Sequence, residues 1–166
     1  PLLYYSKKLA KECGYDTFLE VDYRIKKTTN IRGNAEKMRE AFDEACESAE
    51  KFLAPILWQE YDEIVFISKS IGTAISSAYA FRHNLKVKSI LFTPLAETFS
   101  FPLQGSIAFH GTADPWAETD SVQALAAQKE VPLFLTKNAN HSLETGDVLT
   151  DIFILKTTME RVQRFI

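Results

Sequence analysis

The 166-residue chain predicts an α/β fold, a three-layer α/β/α sandwich on a mostly parallel sheet of about five strands with helices on both faces. Short apolar runs alternate with longer stretches whose apolar residues recur every three or four positions, and that alternation means parallel strands joined by helical crossovers. Ser70 stands where the apolar run 64–68 turns directly into a helical pattern. Two further strands, 106–111 and 132–136, end in loops that carry Asp114 and His141. In a parallel α/β sheet such ends share one edge, where ligands bind.

Leu2, Leu3, Leu9, Ala10 and Cys13 mark one face of a first helix, closed by Gly14, because glycine accepts the positive φ of a helix C-terminus. Residues 17–23 read as a strand, and 28–34 as a polar connector. The longest helix signal follows, with Met38, Ala41, Phe42, Ala45, Ala49, Phe52, Leu53 and Ile56 at helical steps, and Pro55 should end or kink it. Residues 62–68 supply the strand before the serine turn. Ile71, Ala74, Ile75, Ala78 and Phe81 supply the inward face of the helix after it, whose small first residues allow close approach to the sheet. Residues 89–93 form another strand. Helices at 119–131 and 147–166 flank the strand at 132–136, the last with Val148, Ile152, Leu155, Met159 and Val162 as its buried stripe. No repeat or low-complexity tract interrupts the pattern, and the length fits one domain over 1–166.

The net charge of −3 argues against a nucleic-acid footprint, and the basic runs 24–27 and 82–83 are too short to reverse it. No run of eighteen apolar residues and no signal peptide is visible, so no membrane span is expected, and the cytoplasmic setting expected for the chain rests on its two unpaired cysteines. Cys13 and Cys46 form no C-x-x-C pair and read as reduced, partly buried thiols within helices. Metal ligands do not cluster, and G-x-G-x-x-G and the P-loop pattern are absent, so no metal or cofactor is expected. His83 at a helix end and His110 in a strand read as structural. The sequence leaves the oligomeric state open, a homodimer included.

The turn Ser68-Lys69-Ser70-Ile71-Gly72 has small residues two positions either side of Ser70, as a strained strand-to-helix turn requires. With the Gly-Thr-Ala-Asp loop ending at Asp114 and the loop ending at His141, in that chain order, nearly all of the sequence resembles an α/β-hydrolase of the small, lidless kind near carboxylesterases and dienelactone-hydrolase-like proteins. The resemblance implies a serine hydrolase acting on a small ester, with Ser70 as nucleophile, His141 as base, Asp114 as its orienting acid and the Ile71 amide as an oxyanion donor. Glu97 is the alternative acid, because some family members carry theirs after the strand that ends at Thr93.

Ser68 departs from the family's first glycine. The family also places a strand and an oxyanion loop before the helix that begins at Leu2, so a neighbour between the first and second strands is expected to have been removed or to come from another polypeptide, with a rearranged five-strand sheet as the alternative. Unpaired strand edges buried inside a sheet are costly. Leu95, Phe99, Phe101 and Trp116 fall on loops at the same sheet edge and form either a small acyl pocket or caps on the core. A catalytically silent hydrolase-fold protein serving as a binding or regulatory module is the competing function.

Overall fold

The computed structural model describes residues 1–22 and 34–166. Four strands, β1 (Val65–Lys69), β2 (Lys88–Phe92), β3 (Ser106–Gly111) and β4 (Leu133–Thr136), make one parallel sheet in the order β1-β2-β3-β4. Among the described residues five α-helices accompany them: α1 (Leu2–Glu12), α2 (Ala35–Leu53), α3 (Ile71–Arg82), α4 (Thr119–Gln128) and α5 (Val148–Phe165). Parallel pairing with crossover helices sends all four strand ends to one edge.

Alternation along the central strands separates the layers. Ile90, Phe92, Ile107 and Phe109 pack with Leu2, Ile154 and Val162 of α1 and α5. Leu91 and Ala108 face the other way, onto Val122 and Ala126 of α4. On that side α2 leans on α3 through Ala45, Cys46, Ala49 and Ile75. Phe92, Phe109 and Phe134 form a ladder across three strands, with centroids 5.2 Å apart at each step. Pairs of this kind add about 0.5–1.5 kcal/mol beyond their burial.

Several expectations need correction. The described residues 17–22 of the expected strand at 17–23 pair with no strand, leaving a four-stranded sheet among the described residues. Tyr23, the basic run 24–27 and most of the connector 28–34 lie outside the described residues. β1 is thereby an edge: four of its five residues are only half-buried, whereas all of β3 is buried. A cleft of about 1020 Å³ runs along that edge, its lining including Val65 and Ile67 of β1 and Phe18, Leu19 and Val21. In α5 the buried residues are Ile154, Thr158 and Val162, while Val148 and Ile152 are 70% and 59% exposed. The first six residues of α5, 148–153, include none from the three core clusters, so the helical period there runs on without a partner surface. Phe52 and Phe81 are likewise exposed, and Cys13 is exposed because α1 ends one residue before it. Pro55 does end α2, which stops at Leu53. No helix among the described residues is long and apolar enough to cross a membrane.

Candidate active site

Ser70 leaves the carboxyl end of β1 and precedes the first residue of α3, with φ 56° and ψ −132°. A non-glycine residue persists in so sparse a region only where its surroundings over-determine it. Here the Ser70 amide donates to the Phe92 carbonyl at 3.0 Å, and the Ser70 carbonyl accepts from the Thr73 amide at 2.9 Å and the Thr73 hydroxyl at 2.6 Å. The Thr73 and Thr98 hydroxyls, 2.6 Å apart in the interior, lock that grip. Ser68 fits the position of the family's glycine because it is small and its hydroxyl accepts from Ser76 of α3 at 3.0 Å.

The acid loop leaves β3 after Gly111. The Asp114 carboxylate is fully enclosed, with Oδ1 accepting from the Trp116 amide at 2.8 Å and Oδ2 lying 2.7 Å from His141 Nδ1. His141 Nε2 is 2.7 Å from Ser70 Oγ. A serine hydroxyl, an imidazole and a carboxylate separated by up to 71 positions thus form one hydrogen-bonded chain. The histidine loop is clamped onto the acid loop, since the Ala113 amide donates to the Ala139 carbonyl at 2.9 Å and the Asn138 amide to Thr112 Oγ1 at 2.8 Å. Gly111 is what permits this approach: a Cβ there would stand 2.3 Å from the Ala139 carbonyl oxygen.

Ile71 begins α3 directly after Ser70, so its amide has no intrahelical acceptor. Lys69 ends β1 next to the serine; burial pushes its ammonium down, against the opposing pull of Asp114 and Glu144. Trp116 is 42% exposed, with its ring 5.8 Å from that of His141. Leu95 and Phe99 are buried, and Phe99 belongs to the core with Leu91 and Ala108, so it caps the core. Phe101 packs on Phe81 at 6.2 Å. Glu97 is exposed on the short 3₁₀ turn Ala96–Ser100, and it is Asp114 that meets His141. Gly111 opens the Gly-Thr-Ala-Asp loop already visible in the sequence, whereas Thr73 carries no motif of its own, and only its place three residues after Ser70 could have flagged it.

No family model and no curated protein matches the sequence. Solved structures do. An alpha-beta serine hydrolase homologue from Coxiella burnetii superposes with a TM-score of 0.64 at 16% identity, covering 98% of this chain and 74% of that one. A protein assigned to the alpha/beta hydrolase superfamily from Xanthomonas campestris gives 0.58 at 16% identity, over 98% and 90%. A monoacylglycerol lipase from Paleococcus ferrophilus gives 0.55 at 12% identity, over 73% and 76%. At such identities the likeness is one of architecture: the chain has the α/β-hydrolase fold.

Proposed function

We propose that the protein is a serine hydrolase that cleaves a small carboxylic ester through an acyl-enzyme on Ser70. The observation that carries this reading is the chain Ser70 Oγ to His141 Nε2 to Asp114, with 2.7 Å at each link. Serine hydroxyl is a weak nucleophile at neutral pH and needs a base in reach. His141 takes its proton as Oγ attacks the ester carbonyl, then returns it to the departing alcohol. Asp114 accepts from His141 Nδ1–H, which selects the tautomer with a free Nε2 and stabilises the imidazolium that forms. The Ile71 amide stabilises the oxyanion, an interaction of a kind worth roughly 10²–10³ in kcat. Water activated by His141 then releases the acid. The half-exposed Trp116 beside His141 suits a small apolar acyl group in an open cleft. The two free thiols fit a cytoplasmic setting.

Labelling with a fluorophosphonate tests the reading. Modification of Ser70 is expected, abolished in Ser70→Ala and strongly reduced in His141→Ala, and p-nitrophenyl esters of graded chain length then define the acyl preference. A second reading, a silent binding module, is favoured by the open edge and cleft along β1. Absence of labelling in the intact protein would leave that reading standing.

A further inference from the structure

His110 lies wholly inside the protein at the end of β3, four residues before Asp114 and on the strand face that looks toward α4. Its ring is the one buried histidine, and its Nδ1 has no hydrogen-bond partner among the described residues. A buried polar atom left in this way calls for a physical reason. The nearby acceptor is Asp114 Oδ2, 3.8 Å from Nδ1, the same oxygen that meets His141. The other ring nitrogen, Nε2, is 3.2 Å from the hydroxyl of Thr119, the first residue of α4.

These contacts select one tautomer. Were Nε2 to carry the hydrogen, the lone pair of Nδ1 would point at an anion in an enclosed site. With the Thr119 hydroxyl donating to Nε2, the hydrogen sits on Nδ1 and faces the carboxylate. A cation on this ring is disfavoured by burial, the dominant cause of its lowered pKa, against the pull of Asp114 and with a smaller push from His141. The N-terminus of α4 adds a positive dipole at the same place. His110 is therefore a neutral dipole with its positive end toward Asp114.

We infer that His110 is a positioning residue for Asp114, its Nδ1–H covering the free side of Oδ2 so that the carboxylate stays aimed at His141. The separation of 3.8 Å makes this a charge–dipole contact rather than a hydrogen bond. The inference rests on the proposed reading of Ser70, His141 and Asp114 as one catalytic unit. The charged and titratable groups around Asp114 are His110 on β3, His141 on the following loop and Lys69 at the end of β1, with Glu144 drawing on Lys69.

The experiment is an NMR titration of the His141 ring beside pH profiles of ester kcat/KM, on the full chain and on His110→Phe, His110→Asn and Thr119→Val. Losing the dipole leaves Asp114 a stronger acceptor, so His110→Phe should raise the pH midpoint of the His141 ring by roughly half a unit or more. Its kcat should fall about tenfold with KM little changed, the scale of losing a support behind a functional side chain. His110→Asn, which carries an N–H donor on the same branch as Nδ1, should keep the native midpoint. Thr119→Val releases Nε2 and should move the midpoint the same way as His110→Phe. It also decides the matter if the phenylalanine variant does not fold. An unchanged midpoint in Thr119→Val and in folded His110→Phe overturns the inference. The ring titration needs no turnover, so a native chain that hydrolyses no ester sinks the esterase reading alone.

Discussion

At Gly111 the absence of one carbon decides whether two loops can touch. A Cβ there would meet three backbone atoms, including the Asn140 carbonyl oxygen at 2.6 Å, and backbone cannot rotate away as a side chain would. Gly111→Ala should cost about 1–3 kcal/mol in urea unfolding, the usual scale of overpacking. It should also slow ester hydrolysis, because the displaced loop carries His141 off Ser70. Asp114 is tested against its competitor in the same assay. Asp114→Asn should lower kcat by about 10⁴, since the amide can favour the wrong imidazole tautomer. Glu97→Gln, on an exposed turn, should leave it within about twofold, as surface substitutions usually do. If only the glutamate variant loses turnover, the assignment of the acid is wrong.

Among the elements, β1 carries the sharpest asymmetry. Its bonds to β2 run through alternate residues: the Lys88 amide donates to the Ile64 carbonyl, and the Ser70 amide to the Phe92 carbonyl. Residues 64, 66, 68 and 70 therefore bond toward β2, while the amides of Val65, Ile67 and Lys69 point into the cleft. Hydrogen exchange should be faster at Val65, Ile67 and Lys69 than at Phe66 and Ser68, on the order of tenfold or more. Uniform protection along β1 would mean that a polypeptide segment occupies the cleft. The histidine loop has its own tie to α5, where the Asp151 carboxylate accepts from the Thr145 amide at 2.6 Å, the Thr145 hydroxyl at 2.8 Å and the Gly146 amide at 3.3 Å. Asp151→Ala should lower the Tm and speed proteolytic nicking within 142–146.

For the molecule as a whole, acid should be destabilising through His110. Its folded pKa is depressed, chiefly by burial, so the unfolded chain binds a proton that the folded one refuses. Stability is then complete above the unfolded value near 6.5 and falls as pH drops from there through the lower folded value. Urea midpoints at pH 7.5 and 5.5 should show the loss, and His110→Asn should show less of it. The strands β1 to β4, the helices α1 to α5 and the order of the serine, acid and histidine loops were legible in the sequence, because short apolar runs and a 3.6-residue apolar period are local properties that the order of residues records. Residues 17–22 have strand composition yet no ladder, since a strand exists only by pairing with a neighbour. The exposure of Val148 and Ile152 was equally hidden, because helical spacing names a face without saying what covers it. Apolar period and turn chemistry thus determined the elements and the edge where Ser70, Asp114 and His141 emerge. Tertiary structure alone decided which carboxylate meets the imidazole, that Phe99 lies in the core, and that a second histidine stands behind Asp114, for these depend on through-space distances that no sequence interval encodes.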